Sequence, residues 1–174
     1  MTEVNARNFG HLIAFVIPGF VVVSTIGQYS PTVSVWLGES PTTAPTVAGF
    51  GYIALASIAV GVIVSALRWL VIDTIHHRTG VAEPSWDFAT FHQKRPAFES
   101  LADNHYRFHQ FYANLLVAFV LSAITVGVMQ LQQPVRIAIA SLSALLLLVI
   151  LFLASRDALQ KYYRRTEHLL NSSK

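Results

Sequence analysis

Four stretches of this chain, 9–27, 47–72, 108–129 and 137–154, hold between them a single charged side chain, Arg68. At about 1.5 Å per helical residue, runs of this length match the ~30 Å hydrocarbon core of a bilayer. This pattern restricts the fold more than any other feature. In hydrocarbon each backbone amide must find its partner inside the segment, and a helix achieves that alone. The composition agrees, with 12% charged residues, about half the usual share. The fold class read from the sequence is therefore an all-α integral membrane protein, 1–174 forming one four-helix transmembrane domain.

Within the first span, Pro18-Gly19 predicts a kink, because proline removes one backbone hydrogen bond in mid-helix. The outline of this N-terminal segment is that of a retained helix, since no A-x-A-like cleavage site follows it. The next loop, 28–46, carries three prolines with Tyr29 and Trp36, which suits a short piece lying at the interface. The second helix meets no breaker between Val47 and Gly80. It is too long for the bilayer, so its turns from Arg68 onward project into water. Ser57, Gly61 and Ser65 repeat every fourth residue along it, a ridge that lets another helix approach closely.

The stretch after Gly80 contains Pro84 and Pro96. Ser85 is expected to cap a short amphipathic turn that sets Trp86, Phe88 and Phe91 at headgroup level. From Ala97 a helix runs into the third span. Its face of Phe98, Leu101, Ala102 and His105, continuing to Phe108 or His109, is expected to pack on the end of the second helix. The third span carries Ala118 and Ser122 at four-residue spacing. A tight turn at 130–136 leads into the fourth span, whose LLLLVILFL faces lipid, and the tail continues as a helix. Helices two, three and four thus extend beyond the membrane and form a collar of 73–107 and 155–174.

Eleven of the twelve Lys and Arg residues fall on one side of this arrangement, as do all seven histidines. Positive-inside bias makes that side cytoplasmic, with both termini in, as an even number of spans requires. A bacterial inner (plasma) membrane is the expected location.

The chain has no cysteine, which excludes disulfides, thiolate metal sites and a cysteine nucleophile. No Gly-rich phosphate loop or nucleophile elbow is present, and no charge lies near a bilayer midplane to carry coupled transport. His76-His77 and His105-x-x-x-His109 resemble the histidine-box elements of membrane di-iron desaturases and hydroxylases. Those enzymes need a fuller set of boxes, so neither metal nor cofactor is expected. The collar also concentrates cations and aromatics. Arg68, His76, His77, Arg78, Arg95, His105, Tyr106, Arg107, His109, Tyr163, Arg164 and Arg165 are the candidate ligand-binding residues. Interleaved Arg and Tyr can hold phosphate by forked hydrogen bonds and a base by stacking. Pro18, Gly19, Ser57, Gly61, Ser65, Asn114 and Ser122 are candidates for a pore or a helix interface. Asn114 is expected to hydrogen-bond across helices. Arg68 and Asp73, five residues apart on one helix, are expected to pair with other helices.

A four-helix bundle fills its own centre with side chains, so any water path must run between copies of the chain. The leading expectation is a homo-oligomeric channel or pore-forming effector gated at the collar. Its partner would be an anionic small molecule such as a nucleotide, an oligonucleotide, or a cytosolic protein. The alternatives are a non-catalytic membrane anchor for a soluble partner and a histidine-dependent membrane enzyme.

Overall fold

A computed structural model describes residues 10, 12–38, 46–86, 88, 91–129 and 134–171, with backbone alone at 129 and 134–141. The described residues form five helices: α1 (Leu12–Gly27), α2 (Pro31–Leu37), α3 (Val47–Arg78), α4 (91–129) and α5 (Pro134–Asn171). α3, α4 and α5 are long and apolar enough to cross a membrane. Their outward residues, among them Phe50, Leu55, Val62, Ile124, Leu142 and Leu146, are large and exposed. Such a continuous apolar surface suits lipid and not water, and the chain is an integral membrane protein. α1 is a shorter apolar helix, about 24 Å long, so the described residues give three full-length candidates where four spans are expected.

α1 lies against both α3 and α4, and α5 packs along α4. The approach of α1 to α3 is set by glycine. A Cβ on Gly19 would overlap the Ser57 carbonyl, and one on Gly61 would overlap the Phe15 carbonyl. α1 is wound as a π turn over Leu12–Val16, just before Pro18. Pro18 offers no N–H to this turn, and Asn114 Nδ2 of α4 donates to the Ala14 carbonyl there at 2.7 Å, fully buried. Replacing Asn114 with Leu leaves the carbonyl orphaned in an apolar setting. Thermal unfolding in detergent should show a loss of about 1–3 kcal/mol.

Capping follows sequence rules. Thr46 Oγ1 accepts from Gly49 N–H at 3.0 Å at the start of α3. At its end Gly80 takes φ +99°, and the Val81 and Gly80 amides bond back to the His76 and His77 carbonyls at 3.0 and 3.4 Å. That is the six-to-one and five-to-two pairing of a glycine C-cap, as the sequence predicts. α2 is the short helix anticipated in the 28–46 loop, opened by Ser30 and closed at Gly38 with φ 74°.

Three expectations between Gly80 and α5 are corrected. Of the turn expected after Ser85, the described residues Trp86 and Phe88 are not helical, and 87, 89 and 90 lie outside the described residues. Residues 81–86 have no regular structure, and Trp86 turns inward onto Tyr162 and Phe98 at ring distances of 6.0 and 6.3 Å. α4 starts at Phe91, before Pro96 rather than after it. The carbonyl that Pro96 leaves without a donor belongs to His92, in the exposed first turn, where water can serve it. The first turns of α4 pack on α5, because Phe98 meets Tyr162 and Lys94 Nζ donates to the Leu169 carbonyl at 2.7 Å, while the expected contact with the end of α3 is made further along the face, by His109. A cation at the carbonyl end of a helix also complements its dipole. Of the turn expected at 130–136, residues 130–133 lie outside the described residues, and α5 already begins at Pro134, the favoured first position for proline.

Candidate functional site

The described charges buried in the bundle gather at one level. Arg68 and Asp73 from α3, His109 from α4 and Ser155 from α5 are all buried, and His76 joins them with no exposed surface. From the far end of each long helix to this level is about one bilayer thickness, ~33 Å along 47–68 and ~31 Å along 108–128. Exposed Trp69 and Phe108 mark the same level on the outside, as aromatic side chains do at a membrane interface.

Local backbone geometry makes the cluster possible. In an α-helix, residues five apart point away from each other. α3 changes to wider π winding over Trp69–Asp73, and this turn brings position 73 back over position 68. Arg68 Nη1 then donates to Asp73 Oδ1 and Oδ2 at 3.0 and 2.7 Å. The expectation that these two pair with other helices is thereby corrected in part, since they also pair with each other. Their link to α4 is His109, whose Nε2 lies 3.2 Å from both Arg68 Nη1 and Asp73 Oδ1. α4 has its own π turn at Ala102–Tyr106, just before His109, and Tyr106 closes over the His109 ring at 5.9 Å.

Protons can be assigned from the partners. The Ser155 carbonyl, 3.0 Å from His109 Nδ1, can only accept, so Nδ1 carries a hydrogen. Nε2 lies between Arg68, which can only donate, and the Asp73 carboxylate, which can only accept. Ser155 Oγ lies 3.2 Å from His109 Nδ1 and 2.9 Å from His76 Nε2, and the His76 ring packs on Phe152 at 4.7 Å. The result is a continuous polar chain, Arg68–Asp73–His109–Ser155–His76, inside an apolar bundle.

Carboxylate, imidazole and hydroxyl stand here in the order used by serine hydrolases, but the arrangement does not serve that chemistry. Ser155 is fully enclosed, its own carbonyl takes the His109 hydrogen, and Arg68 occupies the carboxylate. What the network does is bind three helices at fixed rotation. An ion pair taken out of water returns little net stability but tolerates few geometries.

The remaining candidates are dispersed around this centre. His77 stacks on Tyr163 at 6.2 Å and meets its hydroxyl at 3.1 Å. His105 Nε2 faces Arg165 Nη1 at 2.8 Å. Arg95 pairs with Glu99 at 2.9 Å and Arg107 with Asp103 at 2.5 Å, while Arg78 and Arg164 are exposed. Tyr106 belongs to the aromatic core of the collar, 5.1 Å from Tyr162. Two clefts of about 340 Å³ flank that core. One lies between the Gly80–Pro84 loop and the Lys161, Tyr163 and Arg164 side of α5. The other is lined by Phe91, Arg95, Phe98 and Arg107. The twelve candidates thus form a buried trio (Arg68, His76, His109) and several separate surface groups.

The histidine pairs split in the same way: His76 and His109 point inward, whereas His77 and His105 meet α5 at the surface. Among the described residues no three His, Asp or Glu side chains converge to hold a metal ion. Of the interface candidates, Pro18, Gly19, Ser57, Gly61 and Asn114 are buried between α1, α3 and α4. Ser65 is half-buried, and the Ser122 hydroxyl lies 2.9 Å from that of Thr25. The small-residue ridge on α3 is occupied by α1 of the same chain.

Sequence reasoning missed Ser155, which closes an apolar run as an unremarked small polar residue, and Arg156, which donates to the Thr79 hydroxyl and carbonyl at 2.5 and 2.6 Å. The signal available was position: both fall where the fourth helix leaves the apolar run. Compared with protein families, with curated proteins and with solved structures, the chain matches none.

Proposed function

We propose that this chain is a homo-oligomeric membrane channel or pore-forming effector, controlled from its collar by an anionic cytosolic ligand or a partner protein. Both termini and the collar face the cytoplasm, and α1 completes four spans. The observation that carries this reading is the buried network. It joins the three helices that bear the collar at the level where they leave the apolar bundle, so a rearrangement of the collar must pass through it to reach the lipid-facing segments. A ligand shifts such an equilibrium only by binding the two states differently. The clefts beside Tyr163–Arg164 and Arg95–Arg107 are surfaces whose shape would differ between two collar arrangements. The water path would run between copies, against the exposed apolar faces of α3 and α5.

Ion flux from liposomes containing the purified full chain tests this directly, with and without nucleotides and short oligonucleotides. Flux that depends on one of these supports the reading. Liposomes that stay tight in every condition, with the protein shown to be inserted, overturn it.

A second reading is favoured by the collar's own aromatic core of Trp86, Phe98, Tyr106 and Tyr162, which gives it a defined shape independent of conduction. A membrane anchor for a soluble partner would use the same clefts. Loss of a co-purifying partner when 155–174 is removed, in a chain that does not conduct, supports the anchor. The histidine-dependent enzyme has less support, since His76 and His109 are enclosed and His77 and His105 point elsewhere.

A further inference from the structure

The inward positions of α3 run Gly49, Ile53, Ser57, Gly61, Val64 and Arg68, three or four residues apart. Continued at α-helical spacing, this stripe leads to Ile72 and then Ile75. Yet the buried side chains beyond Arg68 are Ile72, Asp73 and His76, whereas Ile75 is 39% exposed. The Trp69–Asp73 π turn accounts for the difference. A π turn accommodates one extra residue in a helix, so each position beyond it stands where its predecessor would stand in an unbroken α-helix. The sequence therefore holds two overlapping inward stripes. One is apolar and runs to Ile75, with Ile72 buried already. The other is polar, Asp73 and His76.

We infer that α3 is a two-register helix, in which unwinding the π turn rotates the Thr74–Arg78 end, exchanges His76 for Ile75 in the bundle and draws Asp73 off Arg68, with Ile72 buried in both registers. The rotation is about 100° with a shift of about 1.5 Å along the axis, one residue's worth of helix. Ile75 then takes the place of His76 against Phe152 and Ser155. His76 takes the place of His77 against Tyr163, an exchange of like for like. The loop from Val81 onward, without regular structure, absorbs the displacement.

The Asp73–Arg68 pair holds the observed register, because Arg68 precedes the π turn and would lose its carboxylate in the other one. Removing the carboxylate at position 73 takes away that preference, since Arg68 then lacks its partner in both registers. π turns are frequent at functional sites, and this one sits at the junction of collar and bundle. The inference concerns the helix itself and holds whether or not the chain conducts.

The test is a distance between nitroxide labels at Arg78→Cys and His168→Cys, both exposed positions in a chain without native cysteine. The full-length protein is measured in nanodiscs in three backgrounds. The unaltered background gives one distance. Asp73→Leu adds a second, shifted by on the order of 5 Å as the label swings with the helix. Asp73→Leu combined with deletion of Val71 returns to one distance, because the deletion removes the extra residue and with it the second register. A single unchanged distance in Asp73→Leu overturns the inference. So does a broad distribution that the deletion does not narrow, which would mean that the collar end has merely melted.

Discussion

Asp73→Leu is expected to destabilise the protein by about 3–5 kcal/mol, the usual cost of stripping one partner from a buried ion pair. Arg68 is 4% exposed and cannot lose its charge. Without Asp73 its guanidinium keeps the His109 ring nitrogen at 3.2 Å and loses its counter-charge. Arg68→Met is expected to cost less, because an uncharged stem fills the space and Asp73 keeps His109 Nε2 at 3.2 Å. The double substitution Arg68→Met with Asp73→Leu should recover most of the loss. Replacing a buried ion pair with apolar groups of similar volume is often neutral or stabilising. Unfolding of the four proteins in mixed micelles, followed by helix content, forms the double-mutant cycle. Additive losses would show that the pair is not coupled and that the network is incidental.

Gly61→Val should have an effect of similar size through sterics alone. Its Cβ would overlap the Phe15 carbonyl, which is backbone and cannot swing aside. α1 and α3 must separate, and overpacking of this kind costs typically ~1–3 kcal/mol, sometimes more. Gly19→Val meets the Ser57 carbonyl and should behave alike. The comparison that makes this specific is Gly51→Ala and Gly127→Ala. A Cβ at either site meets nothing within 4 Å, and alanine in a helix interior is better than glycine by roughly 0.5–1 kcal/mol. A panel in which all four substitutions cost the same would remove the close α1–α3 approach. A disulfide between cysteines placed on α1 and α3, formed in the parent and lost in Gly61→Val, would locate the damage at that interface.

These two effects differ in how far they could be seen in advance. Ser57, Gly61 and Ser65 stand out in the sequence at four-residue spacing, and so does Pro18-Gly19. What the spacing left open was whether the ridge meets another copy or the same chain. That depends on where α1 lies, which no local pattern specifies. Asn114 was legible as a polar residue in need of a partner. Its partner, the Ala14 carbonyl, became identifiable only once α1 and α4 were side by side.

The collar was less legible still. Counting its arginines, histidines and tyrosines assembles one ligand-binding surface on paper, whereas the fold distributes them. Arg95 and Arg107 find carboxylates one turn away on their own helix, as i,i+4 pairs do. Tyr106 and Trp86 go inward because the aromatic faces of α4 and α5 meet. Pro96 suggested a boundary, but helix starts tolerate proline wherever the freed carbonyl reaches water.

Composition and periodicity by themselves determined that this chain is helical, that its long helices are apolar enough for lipid, and that α3 must stop at Gly80. Those properties follow from side-chain transfer to hydrocarbon and from the left-handed backbone that glycine alone adopts freely, both of which act within a short stretch of chain. Only the tertiary structure decided that Arg68 pairs with Asp73, that His109 and Ser155 complete the cluster, and that His76 faces in while His77 faces out. The Arg68–Asp73 pair and the inward place of His76 hinge on the Trp69–Asp73 π turn. Such a turn is unfavourable alone and persists where the contacts it creates, drawn from three helices, outweigh the regular hydrogen bond it gives up.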